Sequence, residues 1–161
     1  MVNWILPTTQ GTAKDSVLLL IVLLLSSMPS SAIQLSDVEW DKRPLLLFAP
    51  QQDSVRLQQT QQRLQQNSCE LDARDMIIAV IIGQGNSTLD KQPVSLAYAS
   101  TLRQQFGLSS DQFAVLLLGK DGGEKYRSYR LPDLDQIFAL IDGMPMRQDE
   151  MQQNPVDCSK Q

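Results

Sequence analysis

The chain has 161 residues, with 14 Lys and Arg against 18 Asp and Glu, no His, and a formal net charge of −4. That balance argues against a nucleic-acid binder, whose electrostatic footprint is a basic face. The lack of histidine removes the commonest general base and the commonest zinc ligand, and two cysteines alone cannot close a tetrahedral metal site, so no cofactor or metal is expected.

Lys14 precedes an uninterrupted apolar run, Val17 to Leu25, which is too short to span a bilayer and has the length of a signal-peptide core. Ser30 and Ala32 then supply small residues at the −3 and −1 positions of a cut before Ile33. Residues 1–32 are therefore expected to be a signal peptide, removed on export to the periplasm or the extracellular space. The alternative is a retained N-terminal anchor, because the polar lead before the apolar run is long. No later segment is apolar for long enough to cross a membrane, so no membrane contact is expected after cleavage. The rest divides into an extension (33–42), one domain (43–151) and a tail (152–161).

RPLLLFAP is a short apolar run closed by proline, the pattern of a buried strand. Asp53 or Ser54 can cap a helix that fades near Asn67, with Val55, Leu57 and Leu64 near one face of a glutamine-rich segment. MIIAVIIG is a second, β-branched run ending in a Gly-Asn-Ser-Thr loop. Pro93 opens a second helix in which Leu96, Ala99, Leu102 and Phe106 recur at helical spacing, and Gly107 stops it. FAVLLLG and EKYRSYR are the third and fourth strands, joined by a tight hairpin at Asp121-Gly122. Asp133 and Gln136 make a capping box for a third helix with the stripe Leu134, Ile137, Phe138 and Ile141. The order βαβαββα is that of a thioredoxin-like α/β fold, a four-stranded mixed sheet with helices on both faces.

The segment LLLGKDGGEKYRSYR is then a hairpin bend. A phosphate-binding P-loop would feed a helix and end in Gly-Lys-Ser/Thr, and neither holds here. A thiol redox site fares no better. It needs a low-pKa thiolate where the first strand meets the first helix, and the chain has Ala49-Pro50-Gln51-Gln52-Asp53 there. Before the third strand, where redox members of this fold carry a proline, it has Ser110-Asp111-Gln112-Phe113. The pair Asp133/Asp135 sits at a helix N-terminus, where acids offset the helix dipole. The carboxylate pair Asp149/Glu150 adds no further sign of a catalytic site.

RPLLLFAP near the start, LLLGKDGGEKYR in the middle and IDGMPMRQDEM near the end resemble the bacterial DUF-type, peroxiredoxin-like domain family called P-DUDES, with relatives in extracellular-matrix and sushi-repeat proteins. The resemblance runs from Trp40 to Met151. It implies a thioredoxin-like fold and an exported location, and no established activity.

In an oxidising compartment the even cysteine count suggests one disulfide, Cys69 to Cys158, since both should fall at the pole of the fold opposite the redox corner. The alternative is two unpaired thiols, with Cys158 in a frayed tail. The same pole should collect Lys120, Asp121, Lys125, Arg127, Asp142 and Arg147. Gly122 and Gly123 would permit the turn, and Met144, Pro145 and Met146 would lie beside it, the methionines plugging gaps. These residues would form either a salt-bridged structural latch or a recognition patch for an anionic or protein partner. The expected function is a non-catalytic binding or structural module whose partner is an unidentified protein or an envelope polymer. The alternative is a thiol-redox or peroxiredoxin-like accessory enzyme with an unrecognised site.

Overall fold

The run Arg43–Ala49 is buried along its whole length and forms the central strand, β1. The computed structural model describes residues 33–158, so the expected leader and its cut before Ile33 lie outside the described residues. A one-turn 3-10 helix, Leu35–Asp37, precedes β1. After it come α1 (Val55–Gln66), a short α2 (Ser68–Asp72), β2 (Met76–Ile82), β3 (Ser87–Leu89) and β4 (Gln92–Val94). The chain continues through α3 (Leu96–Gln105), β5 (Ala114–Leu118), β6 (Glu124–Ser128), α4 (Leu134–Asp142) and α5 (Pro145–Gln153).

The sheet order is β4-β3-β2-β1-β5-β6. β1 and β2 run parallel, with Leu45 beside Ile78, while β5 lies antiparallel to β1, with Leu46 beside Leu116. Successive side chains of a strand point to opposite faces, and β1 feeds two cores in this way. Leu45, Leu47 and Ala49 meet Leu57 and Leu64 of α1 and Ile137 and Ile141 of α4 on one face. Leu46 and Phe48 meet Ala99 and Leu102 of α3 on the other. A strand covered on both faces has no use for alternating polarity, hence the continuous apolar run.

Six strands stand where four were expected. The extra pair, β3 and β4, occupies part of the expected Gly-Asn-Ser-Thr loop and the expected helix start at Pro93. Their connection is Asp90-Lys91, with φ of 47° and 66°, and Leu89 pairs with Gln92 across it. Two successive left-handed residues make the primed hairpin turn that suits strand twist, here built without glycine. Pro93 lies in the sheet-edge strand β4, where a missing N–H costs no ladder bond. The helix after it starts at Leu96, capped by the Ser95 hydroxyl accepting from the Tyr98 N–H. Leu96 itself is 71% exposed rather than part of the stripe, and Val55 at the start of α1 is likewise 66% exposed. Gly107, at φ +67°, ends α3 as expected.

Buried Arg103 of α3 closes the C-terminal ends of the parallel strands. Its guanidinium donates to the carbonyls of Ala49 (2.6 Å), Ile81 (2.9 Å) and Ser109 (2.7 Å) and lies over the Phe48 ring. Burial pushes its pKa down, partly offset by Asp111. At the same corner the Gly83 backbone approaches so closely that a Cβ would stand 2.1 Å from the Ser110 carbonyl oxygen.

Candidate functional site at the Gly119–Gly123 pole

The bend between β5 and β6 is the tight hairpin expected at Asp121-Gly122, with three residues in its loop, Lys120, Asp121 and Gly122. Gly119 donates to the Gly123 carbonyl (2.8 Å), and Gly122 donates to the Gly119 carbonyl (3.0 Å). Within the loop only Gly122, at φ +70°, is left-handed, the pattern of a tight turn followed by a glycine bulge. Asp121 closes the loop from outside, accepting from the Gly123 N–H (3.1 Å) and from the Lys125 ammonium (2.7 Å). The loop's Lys120 carbonyl accepts the Trp40 N–H at 2.6 Å, which fastens the N-terminal extension to the turn.

The Lys120 side chain turns the other way, into a charged network. Its ammonium lies 2.8 Å from Asp75 and 2.8 Å from Glu150 of α5. Glu150 also takes a two-pronged contact from Arg43, at 2.9 and 3.1 Å, and Arg43 donates to the Arg74 carbonyl at 2.9 Å. Arg43 is only 1% exposed, and its burial is made tolerable by Glu150 as the nearer counter-charge and Asp75, 4.0 Å away, as the second. Arg74 pairs with Glu70 and Asp142 and stacks over the Phe138 ring at 4.6 Å. Arg147 completes the circuit, 3.3 Å from Asp142 and 3.7 Å from Glu150. The network therefore joins the start of β1, the α2–β2 connection, the β5–β6 turn, the end of α4 and α5.

The local electrostatics follow from these pairings. Burial raises the Glu150 pKa, but Arg43 and Lys120 outweigh it, and the carboxyl is held below its ordinary value. Burial likewise works against the Lys120 charge, and Asp75 and Glu150 overcome it, so its pKa is raised. Each carboxylate of the network, Glu70, Asp75, Asp142 and Glu150, has a cation within bonding distance. Chemically, such an arrangement holds elements together and leaves no free acid or base. Among the described residues no group of His, Cys, Asp or Glu is placed to hold a metal ion.

Of the residues singled out from the sequence, Lys120, Asp142 and Arg147 come together here. Asp121 and Lys125 form a separate pair on the outside of the turn, and Asp121's pKa is lowered by that bond. Arg127 lies along β6, paired with Glu124 at 2.6 Å and donating to the Phe106 carbonyl at 2.9 Å. Met144 is partly buried against the core, and Pro145 begins α5. Met146, expected to plug a gap, is 48% exposed. Arg43, Arg74, Asp75 and Glu150 were not singled out for this pole. Arg43's place at the head of an apolar run was the available signal, because a charge entering a buried strand needs a partner.

Beside the network, Cys69 and Cys158 are joined in a disulfide across 89 positions of sequence. It ties the tail that follows α5 to α2, next to Glu70.

Residues 34–150 match the family described as Domain of unknown function (DUF4174). The chain is 28% identical over 134 residues to Coiled-coil domain-containing protein 80 of Danio rerio, covering 73% of this chain and 15% of that protein. It is 29% identical over 128 residues to Sushi repeat-containing protein SRPX2 of Homo sapiens, covering 77% of this chain and 28% of the relative. Sushi repeat-containing protein SRPX of Rattus norvegicus is 28% identical over 125 residues, 75% of this chain and 27% of its own length. The chain thus spans less than a third of the length of these relatives. No solved structure matches it. With 34–150 covered, including every charged residue of the network, the chain belongs to the DUF4174 family, a domain of unknown function.

Proposed function

We propose that this chain is an exported, non-catalytic module of thioredoxin-like, peroxiredoxin-related architecture that acts as a binding or structural unit in the cell envelope or extracellular space. The observation that carries the proposal is the position of the sulfur. Both cysteines are consumed in one bond beside α2, while the β1–α1 corner presents Pro50, Gln51 and Gln52. A thiol enzyme needs a thiolate at a helix N-terminus, and this chain has no sulfur there to ionise. The thioredoxin-like assignment is supported by the central order β2-β1-β5-β6, with β5 antiparallel to β1 and helices on both faces. On this view β3 and β4 are an edge addition. Export is supported by the apolar run Val17 to Leu25 and by a disulfide that needs an oxidising compartment. Among the described residues no helix is long and apolar enough to cross a membrane. The charged pole acts as a latch for the fold. Insulin reduction and peroxide turnover by the purified protein should not exceed those of a Cys69→Ser/Cys158→Ser variant. Turnover that depends on Cys69 would overturn the proposal.

A further inference from the structure

Seven of the described cations sit in ion pairs, and Arg103 is buried against carbonyls. The surface cations Arg56, Arg63, Arg130 and Lys91 form no ion pair with any described residue. On a chain of net charge −4 such cations have many acids to choose from. Three of the four line adjoining cavities along the exposed face of α1.

The first cavity, about 330 Å³, is walled by Pro50, Val55 and Phe113, with Asp111 also in its lining and Arg56 shared with the next. Arg56 is set in place by Phe113, its guanidinium 5.8 Å from the ring centroid. The second cavity, about 590 Å³, is lined by Arg56, Gln59, Tyr129, Arg130 and Leu131, with no carboxylate among them. Leu131 leads into a third of about 400 Å³, whose lining includes Arg63 together with Asp133 and Asp135. Asp133 is already engaged in capping α4. A pocket with apolar walls at Pro50, Val55 and Phe113 and polar Ser54, Arg56 and Asp111 beside them, a cationic pocket, and a third with one more arginine thus follow one another.

We propose that this groove binds an extended acidic peptide segment of a partner protein, with an aliphatic side chain in the first cavity and carboxylates at Arg56/Arg130 and at Arg63. Arginine forks pair with carboxylates in two-pronged geometry. Tyr129, half exposed, offers a flat surface beside them. Seven residues of helix separate Arg56 from Arg63, roughly 10 Å of rise, which a peptide in the polyproline II conformation covers in about three residues, the third side chain returning to the same face. The recognised pattern is therefore an aliphatic residue, then Glu, two spacers and Glu. A long uniform polyanion fits less well, because Asp111 in the lining of the first cavity would repel it where the peptide presents an uncharged side chain. The proposal deepens the reading of a non-catalytic binding module and concerns a different face from the charged pole.

The test is fluorescence anisotropy with the full chain and a labelled ten-residue peptide containing Leu-Glu-Gly-Ser-Glu. Saturable binding is expected, weakened about tenfold by either Arg56→Gln or Arg130→Gln, the loss of one charge-assisted contact. Lys91→Gln, which removes an unpaired cation outside these cavities, should leave it unchanged. Both arginines are exposed, so thermal melts of the variants should match the parent and separate lost binding from lost folding. Equal binding of a peptide with both Glu replaced by Gln, or equal weakening by Lys91→Gln, would overturn the proposal. So would undiminished binding of a Leu→Gly peptide together with tighter binding of a sulfated polysaccharide, which would assign the groove to a polyanion. Cysteine-dependent turnover would sink the non-catalytic reading and leave these titrations as they are.

Discussion

Gly122 carries the most local of the constraints at the charged pole. At φ +70° a β-branched residue is strained, whereas a Cβ there would make only ordinary contact with the Glu39 side chain, 3.5 Å from Oε1. Gly122→Val should therefore destabilise by strain rather than by collision, by about 1 to 3 kcal/mol, read as a lowered Tm. An unchanged melt would show that the turn tolerates another geometry. Glu150 carries a larger load. Glu150→Gln leaves buried Arg43 with Asp75, 4.0 Å away, in place of its two-pronged partner, and a loss of about 3 kcal/mol is expected in urea unfolding. The pH dependence follows from the two shifted groups. Glu150's folded pKa lies below its unfolded value near 4.3, so its contribution is present above that pH and lost as pH falls through the folded pKa. Lys120's folded pKa lies above its unfolded value near 10.4, so its contribution is complete below that pH and lost as pH rises through the folded pKa. Tm against pH should accordingly show a plateau between these limits, and the acid limb should flatten in Glu150→Gln.

At the scale of elements, the network matters because α5 has almost no apolar claim on the rest of the domain. Its one buried residue is Arg147. Packing of an apolar face supplies most helical stability in proteins, and α5 lacks such a face, so its ion pairs and the disulfide just beyond it hold it in place. Lys120 and Arg147 both contact Glu150, from the β5–β6 turn and from α5 itself. Lys120→Ala and Arg147→Ala should then be non-additive, with a coupling of about 0.5 kcal/mol or more in a double-mutant cycle, whereas distant residues would add. The opposite edge of the sheet works by different physics. β3 and β4 are three residues each, and pairing with β2 and burial of Leu89 and Val94 hold them there.

For the molecule as a whole, the bond between Cys69 and Cys158 closes everything from α2 to the tail into one loop and leaves β1 and α1 outside it. Removing loop-closure entropy from the unfolded chain over such a span contributes about 4 to 5 kcal/mol. Reduction should lower the Tm markedly and shift mobility on a non-reducing gel. A melt that is the same with and without reductant would show that α5 and the network hold the tail unaided. The sequence by itself determined whatever depends on neighbours within a few positions. The buried runs of β1, β2 and β5, the Asp133 cap, the stop at Gly107 and the left-handed Gly122 were all legible, because periodicity, capping and positive φ are local properties, whereas Ser54 stands at the N-cap of α1 with its hydroxyl bonded back to Gln51 and caps nothing. An even count of two cysteines was enough to suggest their partnership. Only the tertiary structure decided the rest. The hairpin at Asp90-Lys91 has no glycine to announce it, and its short strands exist because β2 offers an edge to pair with. Glu150 reaches Arg43 across 107 positions, and Arg74 reaches Asp142 across 68. Which of several acids meets which cation at such separations depends on how α5 and α4 dock on the sheet. That docking is set by the shape of the packed core, which no local pattern encodes.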